Sequence, residues 1–480
     1  ATPGSQHGYD CVDPDQLNPE VGNYERFADL REEMKEKNIG WLQDFVPNHM
    51  AYNPHNVWLF EVMEKGSRSF YYHFFDVNWE YPYPRKIMMP FLGETMDEAI
   101  ENGDISIGFH EGRLFFIYHE HIYPLYIDTY KRFFCDYSFY TQEEIPGSIK
   151  NISGQINGFI DTQNIGEFNE AWDHFIEKLD EAYRNDGQVR EFIESSLLHI
   201  NEDPNIIREV IGQQVFLPVH WQETEKEINY RRFFTVNDLI SLRMEDQQVF
   251  ERYHRFILQL YEEGLIDGIR LDHIDGLLDP SYYLDDLRKS LGNQAYVVTE
   301  KILEGEEKLP SKWPVQGTTG YDFLAWVNGL FTWKASAKKF HRNYQTINSS
   351  CVSADENVYK NKRFILFQRM RGEYESLLHE LSQLMAEEKM VPDDTSDMLV
   401  EFLCRFPVYR LYFSDFPPVD AEKKLLKKVL SGISRDNAEL KEEVRYMRRL
   451  LYSIPEKKPH KKDRIRNFFL RCMQLSGPLM

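Results

Sequence analysis

Between Asp246 and Glu263 the apolar residues Val249, Phe250, Tyr253, Phe256, Ile257 and Leu260 recur at three- and four-residue spacing, which places them on one helical face. Gly264 follows where a C-terminal glycine ends a helix. The short apolar run Leu265 to Asp272 then reads as a strand. Asp279 and Pro280 form an N-cap and first-turn pair for a helix carrying Tyr283, Leu284 and Leu287 up to Gly292. The run AYVVTEKIL, Ala295 to Leu303, is rich in β-formers. Helix, strand, helix and strand joined by short loops predict a parallel α/β sheet or barrel. An earlier unit has the same form: a helix over Tyr24 to Lys37 bears Phe27, Leu30 and Met34, and a strand over Ile39 to Val46 stops at Pro47-Asn48-His49.

From about Met50 to Tyr230 the pattern changes to an aromatic-rich stretch with helices of its own. One runs from Asn169 to Arg184 with Trp172, Phe175, Ile176, Leu179 and Tyr183 on one face. This predicts a subdomain inserted after a strand. Beyond about Asn328 the chain is mostly amphipathic helix, with Met370, Tyr374, Leu377, Leu381 and Leu384 in one and Leu440, Val444, Met447 and Leu451 in another. Lys457 to Lys462, with Pro459 inside, reads as a solvated linker. The division expected is therefore parallel sheet or barrel parts at residues 1–50 and 231–328, an inserted subdomain at 51–230 and a helical subdomain at 329–480.

Composition narrows the function classes. A chain of 480 residues suggests roughly three compact units. Its net charge of −22 argues against a nucleic-acid backbone as partner. Five cysteines (Cys11, Cys135, Cys351, Cys404, Cys472) lie far apart without paired spacing, which points away from a disulfide framework or a zinc site and toward a reducing compartment. No stretch approaches about 18 apolar residues and no signal peptide opens the chain, so no membrane role and a cytoplasmic location are expected. Aromatic residues make up 14% of the chain; they suit a core, and they also suit sugar rings.

Strand parity brings the chemistry into view. In GIRLD, Arg270 and Asp272 share one side of the strand. Glu300 ends the next strand at the same parity, 28 residues on, a length that fits one βαβ crossover. Carboxylates on neighbouring strand ends, with strands about 4.8 Å apart, approach the roughly 5 to 5.5 Å separation of a retaining glycosidase. Arg270 is expected to favour the ionised form of Asp272, and burial beside that charge to raise Glu300. The two residues alone leave equally open an Arg270–Asp272 structural pair with Glu300 bound to Lys301.

Beyond single residues, DFVPNH (Asp44 to His49), GIRLD (Gly268 to Asp272) and Glu300 resemble three of the four signatures of the α-amylase clan. GSQHGYDCVDP (4–14), EINYRRFFTVNDLISLR (227–243), DHIDGLLDP (272–280) and EKILEGEEKLPSKWPVQGTTGYDF (300–323) resemble the maltooligosyltrehalose synthase family of glycoside hydrolase family 13. PVYRLY (407–412) is similar too, with Leu411 where the family usually has threonine. The resemblance implies a (β/α)8 TIM barrel with a subdomain after its third strand and a mostly helical C-terminal insertion. Here that barrel is expected to be incomplete at both ends.

It also implies an intramolecular transglucosylation, in which the reducing-end α-1,4 link of a maltooligosaccharide or linear α-1,4-glucan becomes an α,α-1,1 link. Asp272 would be the nucleophile and Glu300 the acid/base. Tyr9 would stack under the sugar, with His49 and Arg270 as its polar contacts. His273, Asp275 and Lys301 would line the acceptor pocket, and Asp44 and Asn48 would be structural neighbours of the site. No cofactor and no metal are implied; the pathway neighbour implied is a maltooligosyltrehalose trehalohydrolase. The clan's third catalytic aspartate has no counterpart in the 480 residues, so the chain by itself is expected to be inactive. The competing expectations are an α-glucan hydrolase or 4-α-glucanotransferase on the same barrel, and a non-catalytic glucan-binding module.

Overall fold

The structure, a computed structural model, describes residues 1–135, 147–303, 307–348, 353–387, 395–412, 417–418, 420–452 and 459–480. Its strands among these residues are β1 (Leu42–Phe45), β2 (His49–Ala51), β3 (Ile87–Leu92), β4 (Ile105–His110), β5 (Arg113–Tyr118) and β6 (His121–Pro124). They continue with β7 (Phe216–His220), β8 (Arg232–Phe233), β9 (Val236–Ser241), β10 (Gly268–Leu271), β11 (Tyr296–Thr299) and β12 (Gly317–Thr318). The sheet that carries the site runs β1-β10-β11-β12, and every pair in it is parallel.

The helices that connect these parallel strands begin and end where local chemistry requires. Asp246 caps the helix Gln247–Glu262 by accepting from the Gln248 N–H, and Gly264 follows at φ +70°. That helix buries Val249, Phe250, Tyr253, His254, Ile257 and Leu260. Each fully buried aliphatic or phenylalanine side chain on it stabilises the fold by about 1.5–3 kcal/mol. Asp279 caps Pro280–Leu291 through the Tyr282 N–H, and Asn23 caps Tyr24–Glu36. The strands are shorter than the apolar runs suggest. Leu265 and Ile266 are buried but precede β10, and Asp272 stands one residue past it.

Register fixes the two acids. Leu271 pairs with Thr299, so Asp272 and Glu300 fall level at the ends of neighbouring strands. The ladder runs on through them, with the Glu300 N–H donating to the Leu271 carbonyl at 2.8 Å and the Asp272 N–H to that of Phe45 at 2.9 Å. Close approach of β10 and β11 requires glycine at Gly268, where a Cβ would stand 2.1 Å from the Tyr296 carbonyl oxygen.

Between β1 and β10 the chain leaves this sheet. β2 pairs antiparallel with β9, His49 opposite Ser241, and β8 completes a three-stranded sheet. β4, β5 and β6 form an antiparallel meander, and β5 alternates half-buried with buried residues as one packed face requires. The helix predicted over Asn169 to Arg184 spans Ile165–Asn185 and fully buries Trp172. One continuous hydrophobic core joins Met50 to Trp313, so the inserted elements and the parallel sheet pack together. No described helix is long and apolar enough to cross a membrane.

A second core joins Leu278 to the helices from Ala354–Gln368 through Pro459–Ser476. One expectation changes here. Pro459 to Lys462 are the first residues of the helix Pro459–Ser476, not a solvated linker, because proline is tolerated in a first turn whose N–H has no intrahelical partner; Lys457 and Lys458 lie outside the described residues. The helices Tyr321–Leu330 and Ala337–Ile347 bury no residue at all, and Trp326 is 70% exposed.

Candidate active site

A cleft of about 520 Å³ opens at the C-terminal ends of β10 and β11. Its floor is organised by Arg270. Nη1 donates to Asp44 Oδ1 at 2.8 Å and to Asp272 Oδ1 at 2.6 Å, and Nη2 stands 3.5 Å from Glu300 Oε2. Three carboxylates from three strand ends thus share one guanidinium. Asp44 in turn accepts from Tyr9 Oη at 2.9 Å, which holds that ring at the cleft wall.

Asp272 does not titrate as the sequence suggests. The Asp272 carboxyl is pushed up to about 6, by burial first and then by the negative charge of Glu300, with Arg270 pulling it down. The expectation that Arg270 would hold Asp272 low is therefore corrected. One guanidinium divided among three carboxylates does not offset the burial of a residue that is 8% exposed.

Glu300 is held from two sides. Oε2 accepts the backbone N–H of His273 at 2.9 Å, and Oε1 accepts Tyr321 Oη at 3.3 Å. The proposed Glu300–Lys301 pair does not form. Lys301 is 1% exposed, and its Nζ lies 3.4 Å from Asp275 Oδ2 and 3.7 Å from Glu307 Oε1, with the rings of Tyr409 and Tyr412 5.5 and 5.6 Å away. The expectation of a sugar contact at Lys301 is corrected accordingly: alternation along the strand turns its side chain away from that of Glu300, behind the cleft wall.

His49, from β2, accepts from Asn48 Nδ2 and turns its other ring nitrogen to the Tyr9 carbonyl at 3.1 Å. Burial lowers its pKa to about 4, so at neutral pH it is a neutral imidazole. Asn48 faces away from the cleft and accepts from Arg231 Nη1 at 2.7 Å. His273 takes a left-handed conformation (φ 45°, ψ 48°), and burial lowers its pKa to about 3. Gly276 makes that turn possible, since a Cβ there would lie 2.4 Å from His273 Cδ2 and 2.5 Å from Asn48 Oδ1. Asp275 reaches the cleft with one edge, while its carboxylate receives Tyr412 Oη and Lys301.

Several lining residues were not singled out from the sequence. Phe233 and Phe234, at the β8–β9 hairpin, pack on His273 with ring centres 4.7 and 5.2 Å away, and Tyr321 and Tyr409 close the wall around Glu300. Each lies inside a family-like segment (EINYRRFF, GTTGYDF, PVYRLY). The signal was present as motif, but not as contact.

Comparison with known proteins adds the following similarities. The Alpha amylase, catalytic domain family matches residues 1–99. A putative maltooligosyl trehalose synthase from Mycobacterium tuberculosis (strain CDC 1551 / Oshkosh) is 29% identical over 340 residues, which cover 69% of this chain and 32% of that protein. The maltooligosyltrehalose synthase structure from Arthrobacter ramosus aligns with 99% of this chain and 50% of its own, at TM-score 0.71 and 26% identity. A hypothetical maltooligosyl trehalose synthase from Sulfolobus tokodaii aligns with 100% of this chain and 49% of its own, at TM-score 0.65 and 26% identity. The chain spans about a third of the curated relative and about half of the solved ones. With an α-amylase-type α/β fold and its acids level on neighbouring strands, the chain is similar to the maltooligosyltrehalose synthases.

Proposed function

We propose that the intact protein converts the reducing-end α-1,4 linkage of a maltooligosaccharide into an α,α-1,1 linkage by double displacement. The observation that carries this reading is the level placement of Asp272 and Glu300 around one guanidinium. Paired strands stand about 4.8 Å apart, so carboxyls level on them around one guanidinium suit the roughly 5–5.5 Å of a retaining pair better than the roughly 6.5–9.5 Å across which an inverting pair holds its water.

Asp272 attacks C1 and forms a glycosyl ester as the bond from C1 to the glycosidic oxygen breaks. Glu300 gives its proton to that oxygen, and glucose is freed within the cleft. The glucose turns, its anomeric hydroxyl attacks the same C1, and Glu300 receives the proton as Asp272 departs. Two inversions retain the α configuration. Water must be kept out for transfer to win over hydrolysis, a role suited to the wall of Phe233, Phe234, Tyr321 and Tyr409. Tyr9, His49 and Arg270 are placed to hold the sugar at the cleavage point, and His273 and Asp275 to line the acceptor side.

In the same reading the parallel strands belong to a (β/α)8 barrel. Residues 1–50 and 231–328 form its catalytic part, 51–230 its inserted subdomain and 329–480 its helical subdomain. A reducing cytoplasm suits the separated cysteines, and a trehalohydrolase would consume the product.

Incubation of the intact protein with maltopentaose tests the function. Reducing ends should disappear while the chain length stays constant and little glucose is released. Release of glucose, or of mixed-length oligosaccharides, without a non-reducing product would overturn it in favour of a hydrolase or a glucanotransferase. Acidity provides a further expectation. Because Asp272 must be ionised to attack and its carboxyl titrates at about 6, kcat/KM should fall about tenfold for each pH unit below that point. Initial rates on maltopentaose between about pH 4.5 and 8 measure it; an acidic limb near the ordinary carboxylate value of about 4 would contradict it.

A further inference from the structure

The segment Pro407 to Tyr412 leaves the helical core and ends against the loop that follows the nucleophile. Arg410 is 1% exposed, and it meets carbonyl oxygens rather than a carboxylate. Nη1 donates to the carbonyls of Asp275 and Leu277, and Nη2 to that of Leu278 at 2.6 Å. The Gly276 carbonyl between them receives Gln474 at 2.9 Å and Arg231 at 3.0 Å. Tyr412 donates to the Asp275 carboxylate two residues further along the same segment.

A buried cation with no carboxylate in contact among the described residues is an expensive way to stabilise a fold, and an apolar side chain of similar volume would cost less. A guanidinium offers something else: a rigid planar fork that sets several acceptors at fixed positions. The loop it holds begins at His273, an L-residue in the disfavoured left-handed region. At the start of that loop the His273 N–H points at Glu300 Oε2, 2.9 Å away, and the His273 carbonyl accepts the Gly276 N–H at 3.0 Å. The contacts therefore form a chain from Arg410 through the loop carbonyls and the His273 backbone to one oxygen of Glu300.

We propose that Arg410 is a positioning residue for the acid/base, holding the 275–278 carbonyls so that the His273 N–H stays aimed at Glu300. The inference rests on the reading of Glu300 as acid/base given above. Its consequence is selective. Breaking the bond to a sugar leaving group needs a proton from a well-placed Glu300, whereas fluoride leaves as the anion without one. In both cases Asp272 forms the ester at C1; only the fate of the leaving group's electron pair differs.

The test uses the intact protein and two donors, maltopentaose and α-maltosyl fluoride, the latter read as the single-turnover rate of fluoride release. Arg410→Met is expected to lose about 100-fold in kcat on maltopentaose with KM nearly unchanged, and less than about threefold in fluoride release. Tyr412→Phe, which removes one hydroxyl and leaves the ring in place, should show the same imbalance at about tenfold. Glu300→Gln serves as the reference. If Glu300→Gln spares fluoride release while either folded variant loses both donors equally, or loses neither, the role of Arg410 is overturned. If Glu300→Gln itself fails to spare fluoride release, the fault lies in the reading of Glu300.

Discussion

Asp272→Asn should lower kcat/KM on maltopentaose by at least about 10⁴-fold, roughly 5.5 kcal/mol of transition-state stabilisation, while the protein stays folded. The amide keeps the size of the carboxylate and still accepts from Arg270, but it cannot form the glycosyl ester. Stability separates this role from that of a structural ion pair. In the folded protein the Asp272 carboxyl titrates at about 6, above its ordinary 3.8. A group so raised favours folding less as pH climbs from the unfolded value toward the folded one, and above about 6 its charge is a net cost. Replacing it by asparagine should leave Tm at pH 7 unchanged or higher. A lower Tm with the activity retained would mark Asp272 and Arg270 as structural partners and nothing more.

Glu300→Gln should lower turnover of maltopentaose by about 10³- to 10⁴-fold, because neither protonation of the leaving oxygen nor activation of the acceptor hydroxyl remains. The amide oxygen can still accept the His273 N–H while its NH2 donates to Tyr321 Oη, so the walls of the cleft should keep their arrangement. Ester formation from a fluoride donor needs no acid and should persist. The second step, which needs the base, should be slow. Equal loss on maltopentaose and α-maltosyl fluoride would instead point to a collapse of the site.

Much of this was legible in the chain, for identifiable physical reasons. Caps are local, so Asp246, Gly264, Asp279 and Pro280 located helix ends within a residue or two. Strand parity is local as well, and it put Arg270 and Asp272 on one side with Glu300 one crossover later. Contacts made across long separations were not legible. Arg410 reaches Asp275 from 135 residues away, and Arg231 reaches Asn48 across 183. Nothing in the spacing of PVYRLY signals a clamp. The titration of Asp272 was misread for a different reason. Sequence shows that an arginine is adjacent, but not that Asp44 and Glu300 share it or that Asp272 is buried. Lys301 was placed in the cleft because it adjoins Glu300, although side-chain alternation sends adjacent strand residues to opposite faces.

The central claim is that Asp272 forms a covalent bond to the sugar with Glu300 as its acid/base. Intact-protein mass spectrometry of the Glu300→Gln variant mixed with α-maltosyl fluoride, followed by peptide mapping, tests it most directly. The expected result is a single maltosyl unit on the peptide containing Asp272, absent when Asp272→Asn is added. An adduct on a different carboxylate, or fluoride release with no adduct and with inverted maltose as product, would contradict the account.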